Sequence, residues 1–289
     1  MHQKTAMKKI LVPTDFSIYA DKALDFAAAV AQKAGAEVVL LRIYDALDYS
    51  FADRKNLVNE YNDAQVAELQ QKLDVRKARI VNSGYKNIRT MICDGDHDTI
   101  GALLSIAEES QPDLIVMGTL GATGLRTAIQ GTKTTALIAR CSLPVVTIPF
   151  NYEWKEPKKI LIATNDAEED AKRFEPVFAL SRLFDAEVRA IAISDARAEA
   201  VDLVAHSRAI PKIQAKLQTF SNAHVHVEHL AERDFQQAIQ QYIERENIDL
   251  LVMITHKRGF IQSLFHASMT RQMAYHTTVP LLALHGAHL

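Results

Sequence analysis

The chain of 289 residues has few cysteines, no excess of charge and no long apolar run. Two cysteines, Cys93 and Cys141, cannot build the disulfide framework of a small secreted domain, so we expect a reducing cytoplasm. The formal net charge of -2 gives no electrostatic basis for general binding to nucleic acids or membranes. No apolar run reaches the ~20 residues of a membrane-spanning helix. The sequence therefore predicts a cytoplasmic protein whose partners include neither nucleic acid nor membrane.

The second half of the chain repeats the first. Residues 9–15 (KILVPTD) match residues 159–165 (KILIATN) at a shift of 150. Residues 112–117 (PDLIVM) match residues 248–253 (IDLLVM) at a shift of 136, so the second half is shorter in its middle. At ~140 residues, each half is long enough to be a domain. The predicted organisation is a first domain at 1–149, a linker at 150–157 and a second domain at 158–289.

Short apolar runs alternate with helical patterns in each half. In the first half the runs lie near Ile10–Pro13, Val38–Ile43, Ile88–Ile92, Leu114–Met117 and Val145–Ile148. Ser17 is a good N-cap for a helix that Gly35 would end. Two further helices are predicted, from about Asp53 to Val81 and from about Thr99 to Glu109. Buried strands separated by helices indicate a parallel, doubly wound sheet, in which ligands bind beyond the carboxyl ends of the strands.

A glycine motif follows the fourth apolar run. Residues 118–132 read GTLGATGLRTAIQGT, with the spacing G-x2-G-x9-G-[ST]. Glycine lets a backbone approach a ligand closely, and a helix N-terminus attracts anions such as phosphate. The alternative is a glycine-rich turn that binds nothing.

This motif, with the Pro-Thr-Asp that ends the first apolar run, resembles the nucleotide-binding loop of the universal stress protein family. Over nearly its whole length the chain resembles a tandem member of that family. The resemblance implies an α/β fold of two tandem doubly wound domains, each an open five-stranded parallel sheet of order 3-2-1-4-5 flanked by helices. It also implies pairing of Val145–Ile148 with Leu281–Leu284, as a pseudo-dimer within one chain, and it leaves a homodimer open. The protein partner is unknown.

The resemblance further implies one adenine nucleotide site, for ATP with or without Mg²⁺, in the first domain. Thr14 and Asp15 would contact the adenosine, although Asp15 is also placed to stabilise the start of a helix. Ile43 and Met117 would lie beside the adenine, and the glycines with Thr132 would hold the phosphates. The residues implied for this site are Pro13, Thr14, Asp15, Ile43, Met117, Gly118, Gly121, Gly131 and Thr132.

The second half lacks the motif. At the matching positions stand Ile254, Lys257, Ala267 and Ser268, and Asn165 replaces Asp15. We therefore predict no family-type ATP site in the second domain.

Two other groups of residues in the second half are candidate ligand sites. One stretch could accept a different anion or could be a solvated loop; it contains His256, Lys257, Arg258, His266 and Ser268. His224 and His226 would share one face of a strand, but a metal site needs at least a third ligand, so no metal is predicted.

Three functions fit these patterns. The preferred one is a stress-response or signalling switch that responds to ATP. The alternatives are a scaffold without nucleotide and a weak ATP hydrolase. The chain has no G-x-x-x-x-G-K-[ST] or S-G-G-x-D-S motif, and Arg126 and Lys133 are more typical of solvated cations than of catalytic ones. No catalytic residues are predicted.

Overall fold

The structure is a computed structural model, and it describes residues 7–48, 55–119, 132–164, 170–195, 210–220, 225–232, 234–255 and 267–285. The chain divides into two compact units, one of residues 7–140 and one that starts at Cys141. This division falls before the fifth strand, whereas the sequence repeat divides the chain after that strand.

The first unit alternates strands and helices. Its elements are β1 (Lys9–Pro13), α1 (Ile18–Ala34), β2 (Glu37–Tyr44), α2 (Lys55–Asn82), β3 (Ile88–Asp94), α3 (Thr99–Ser110), β4 (Leu114–Gly118) and α4 (Thr132–Arg140). The strands are parallel and lie in the order β3-β2-β1-β4. Connections between parallel strands are right-handed, so α1 and α2 cover one face of this sheet and α3 covers the other.

The ends of the helices follow from local chemistry. The Ser17 hydroxyl accepts a hydrogen bond from the Ala20 amide at 3.1 Å, and Gly35 ends α1 with a φ of 71°. Both had been predicted from sequence, since these residue types satisfy the unpaired backbone groups of helix ends. Asp98 caps α3 in the same way by accepting a hydrogen bond from the Gly101 amide at 2.8 Å.

The second unit repeats the pattern. Its elements are β5 (Val145–Ile148), β6 (Lys159–Ala163), a 3₁₀ turn (Ala171–Phe174), α5 (Glu175–Phe184), β7 (Glu187–Asp195), α6 (helical over 210–218), β8 (His226–Glu232), α7 (Phe235–Glu246), β9 (Leu250–Thr255), α8 (Ala267–His276) and β10 (Leu281–His285). The strand order β8-β7-β6-β9-β10 is the expected 3-2-1-4-5, and these strands are parallel. The expected fold class is confirmed.

Strand β5 adds an antiparallel pair to this unit. It lies against β10, with Thr147 opposite Leu281 and Val146 opposite Leu282. The strand contact expected from the resemblance is therefore present. Among the described residues, no helix is long and apolar enough to span a membrane.

One carboxylate contact occurs in both units. Asp113, just before β4, accepts hydrogen bonds from the Lys8 and Lys9 amides at 2.7 and 2.9 Å. Asp249, just before β9, accepts them from the Lys158 and Lys159 amides at 2.8 and 3.0 Å. Each aspartate thus ties the start of the fourth strand of its repeat to the start of the first.

We predict that Asp249→Ala lowers the free energy of unfolding by about 3 kcal/mol. The reason is that the partly buried backbone N–H groups of Lys158 and Lys159 would lose their hydrogen-bond acceptor. The Asp249 side chain is only 6% exposed, and it also binds Lys155 Nζ at 2.6 Å. Urea unfolding followed by the fluorescence of Trp154, the single tryptophan, reports on this part of the chain.

The matched control is Lys155→Ala. Because the Lys155 side chain is 68% exposed, we expect the control to lose less than about 1 kcal/mol. Equal losses in the two variants would mean that the ion pair, and not the backbone contact, stabilises the strand ends.

Candidate functional site

The loop between β1 and α1 is tied to the neighbouring strand β2. The Thr14 amide donates to the Leu41 carbonyl at 2.8 Å, which extends the strand pairing by one residue. The Thr14 side chain is buried, and its hydroxyl oxygen accepts a hydrogen bond from the Phe16 amide at 3.0 Å. Asp15 Oδ1 accepts one from the Ser17 amide, also at 3.0 Å. This helix-start contact is the second role foreseen for Asp15.

Apolar side chains lie on either side of this loop. Strand β1 pairs with β2 on one side and with β4 on the other, and Leu11 lies opposite Ile115. Pro13, Ile43 and Met117 therefore reach the same edge of the sheet, and the last two are each 8% exposed. The structure thus brings six of the predicted residues to one edge: Pro13, Thr14, Asp15, Ile43, Met117 and Gly118.

Gly118 has a packing role that the sequence did not reveal. A Cβ at this position would lie 2.8 Å from the Tyr19 carbonyl oxygen and 3.0 Å from its carbonyl carbon. The obstacle is the backbone of α1, which cannot move aside cheaply. Glycine is needed here for the approach of α1 to the end of β4, whatever else it contacts.

Helix α4 starts close to the end of β4. The Thr134 hydroxyl donates to the Gly118 carbonyl at 3.1 Å, and the Thr134 side chain is buried. Lys133 Nζ donates to the Thr99 hydroxyl at 3.3 Å, so the first turns of α4 and α3 are adjacent. With α1, three helix N-termini lie at the carboxyl edge of the sheet, where their positive dipole ends favour an anion. Gly121, Gly131 and the side chain of Thr132 lie outside the described residues.

Charge is unevenly distributed along this edge. Asp45 and Asp94 lie on the β2–β3 side, where Asp45 Oδ1 accepts from the His97 amide and Asp94 Oδ1 from the Ala46 amide, at 3.1 and 3.2 Å. Lys133 lies on the β4 side. An anionic group is therefore favoured beside β4, and groups that donate hydrogen bonds are favoured beside β2.

Arg42 lies between these regions. Burial lowers the pKa of its guanidinium, and the negative charges of Asp15 and Asp45 oppose that change. Arg42 is not among the site residues predicted from the sequence. A signal for it exists, because a charged residue is unusual within an apolar run such as that of β2.

The structure adds a second residue, Gly95, after β3. A Cβ there would meet Ile43 Cγ2 at 2.8 Å, so a larger residue would push on the side chain expected beside the adenine.

The second unit keeps the strand contact at which this loop begins. The Thr164 amide donates to the Ile191 carbonyl at 3.1 Å, as Thr14 does to Leu41. Ile254, at the position of Gly118, is a buried residue of β9. Asn165 and residues 256–266 lie outside the described residues, as do the side chains of Ala267 and Ser268.

One member of the histidine pair of the second half lies in the part of the chain that the structure describes. His224 lies outside the described residues, and His226 is 63% exposed with its Nε2 3.6 Å from a Glu228 oxygen. Among the described residues, no group of three or more histidine, cysteine, aspartate or glutamate side chains could hold a metal ion.

The strand order and the contacts that both repeats make define a tandem of two related doubly wound units. The sequence model of the universal stress protein family matches residues 7–149 and again residues 156–285. The chain therefore belongs to the universal stress protein family.

Individual relatives agree with this assignment. A universal stress protein of Synechocystis is 24% identical over 298 aligned positions, which cover 96% of this chain and 99% of the relative. One from Methanocaldococcus jannaschii is 28% identical over 155 positions, covering 49% of this chain and 94% of the relative. The crystal structure of a universal stress protein from Archaeoglobus fulgidus shares the fold, with a TM-score of 0.66, 17% identity and coverage of 96% and 98% of the two chains.

We predict that Gly118→Ala lowers the free energy of unfolding by about 2 kcal/mol, because the added methyl group would press on the backbone of Tyr19. Thermal unfolding followed by circular dichroism measures the effect. Gly95→Ala is the comparison variant: a Cβ there would also meet an atom at 2.8 Å, but this atom, Ile43 Cγ2, belongs to a side chain and not to a helix backbone, so the loss should be smaller. An unchanged unfolding temperature in Gly118→Ala would refute the packing role.

Proposed function

We propose that this protein is an ATP-binding universal stress protein that acts in the cytoplasm as a stress-response or signalling switch. ATP, with or without Mg²⁺, binds once per chain in a first domain of residues 1–149. Residues 158–289 form a second domain without a nucleotide, joined through the linker 150–157. The observation that carries the proposal is the convergence of six predicted site residues at the switch point of the first sheet, with the start of α4 fixed beside Gly118.

The charge pattern supports the orientation of the nucleotide. The phosphates take the β4 side, where α4 begins and where Gly121, Gly131 and Thr132 follow in sequence. Backbone N–H groups of a glycine loop and a helix N-terminus suit phosphate oxygens. The adenosine takes the β1–β2 side, where the Asp15 carboxylate accepts hydrogen bonds from ribose hydroxyl or adenine amino groups. Ile43 and Met117 supply the apolar surface for the ring.

Magnesium would bind as its complex with the nucleotide. The described residues hold no cluster of three or more carboxylate, histidine or cysteine side chains for a metal. Mg²⁺ commonly keeps several waters and binds through substrate phosphates, so ATP itself can supply its ligands here.

A bound nucleotide can act as a signal through stability alone. A ligand that binds only the folded state stabilises it by about 2.7 kcal/mol at a hundredfold excess over Kd. The first domain then responds to ATP concentration, while the second domain, where Ile254 is buried at the position of Gly118, does not.

Isothermal titration of the nucleotide-stripped protein with Mg-ATP tests the proposal, and we expect one ATP per chain. Gly131→Trp should abolish binding because the indole would occupy the space of the phosphates. The matched control is Ala267→Trp, the equivalent position in the second repeat, which should bind ATP as the wild type does.

Two titration results would contradict the proposal. Two ATP molecules per chain would show that the second domain also binds nucleotide. No binding after confirmed stripping would reject ATP as the ligand and favour the scaffold.

A further inference from the structure

Helix α2 reaches the loop that carries Thr14 and Asp15. Arg76, in the C-terminal third of α2, places its Nε 2.6 Å from Asp21 Oδ1 in the first turn of α1. Its Nη2 donates to the Phe16 carbonyl at 2.7 Å. The Arg76 side chain is only 16% exposed, so these contacts are shielded from competing water. A single side chain of α2 thus holds both the loop and the start of α1.

Phe16 is in an unusual backbone conformation. Its φ is 67°, in the left-handed region that residues other than glycine, asparagine and aspartate rarely adopt. Three cations lie near its ring: Arg42 Cζ and Arg76 Cζ are 5.1 and 4.8 Å from the ring centroid, and Lys72 Nζ is 5.9 Å away. Cations over an aromatic ring are attracted by its quadrupole, which offsets the strain of the backbone. We call Phe16, Arg42 and Arg76 the loop clamp.

Arg42 holds the other side of the same loop. Its Nη1 donates to the Thr14 carbonyl at 3.2 Å. Its Nε is buried and has no hydrogen-bond partner among the described residues, a costly arrangement for a charged group.

The second repeat shows that the fold does not need this arginine. Ala192, 1% exposed, takes the position of Arg42, and Thr164 still pairs with Ile191. The cost of burying Arg42 is therefore met only in the repeat where Asp15 and the glycine motif are present.

From these contacts we propose that Arg76 and Arg42 are positioning residues for the adenosine end of the nucleotide site. The inference rests on the proposed function. Within the loop clamp, the two arginines hold Phe16 in its left-handed conformation. This conformation sets the direction in which Thr14 and Asp15 leave β1. Helix α2, which supplies none of the residues predicted to touch the nucleotide, thereby controls the affinity for adenosine. Conversely, a nucleotide that binds Thr14 and Asp15 favours the docked position of Arg76 on the loop.

The test compares Arg76→Met with Arg79→Met. Arg79 lies three residues further along α2 and forms a similar pair with Asp25 of α1, at 2.5 Å, but it does not contact Phe16 in the described structure. The affinities for Mg-ATP and for adenosine are measured by isothermal titration, and folding is checked by circular dichroism.

We expect Arg76→Met to raise the Kd of both ligands about tenfold, in line with the loss of charge-assisted hydrogen bonds. The ratio of the two Kd values should stay as in the wild type, because the phosphates contact a different loop. Arg79→Met should leave both Kd values within twofold of the wild type.

Three other results would contradict the positioning role of Arg76 or the proposed function. If the wild type binds ATP and adenosine but Arg76→Met binds both equally well, the positioning role is wrong and the proposed function stands. If Arg76→Met weakens ATP but not adenosine, Arg76 acts through its charge on the phosphates and the inference is overturned. If the wild type binds neither ligand, the proposed function fails and the inference fails with it.

A second variant covers the case in which Arg76→Met does not fold. Phe16→Leu keeps the ion pair between Arg76 and Asp21 but removes the ring that the two guanidinium groups contact. We expect the same loss for both ligands, with an unchanged ratio, and unaltered affinities would overturn the inference.

Discussion

The pairing of β1 with β2 on one side and β4 on the other is the constraint on which the first unit depends. It makes the chain leave the sheet in opposite directions after β1 and after β4, because the right-handed crossovers place their helices on opposite faces. The space between the two departing loops cannot be filled by either helix. The side chains that end β1, β2 and β4 therefore surround a crevice whose position is set by backbone hydrogen bonds.

Sequence reasoning succeeded where the determining interactions are local. Ser17 and Gly35 predicted the ends of α1 because a helix cap depends on a few consecutive residues. It was incomplete where the determining contact is distant in the chain. Gly118 was interpreted only as a residue that lets the backbone approach a ligand, yet its lack of a side chain is required by Tyr19, almost a hundred residues earlier. The contact of Phe16 with Arg76 spans sixty residues and leaves no periodic pattern in the sequence.

The two repeats show which parts of the sequence serve the fold alone. Asp113 and Asp249 make the same backbone contacts, and Thr14 and Thr164 extend the same strand pairing. Around the crevice, by contrast, Ala192 stands at the position of Arg42 and Ile254 at that of Gly118. In the second repeat a 3₁₀ turn, Ala171–Phe174, precedes α5. A shared scaffold has thus been retained while one crevice changed.

The antiparallel pairing of β5 with β10 has a consequence for how the chain can be divided. By sequence, β5 ends the first repeat, yet its backbone groups are paired with the last strand of the second. A chain cut at residue 149 would leave Leu281–Leu284 with an open apolar edge, which is prone to capture another strand. In the intact chain the segment 149–158 keeps β5 tethered to the following strand, so the local concentration of the partner strand is fixed by the tether and not by the amount of protein. Lowering the protein concentration, which dissociates the subunits of an ordinary dimer, therefore does not separate β5 from β10.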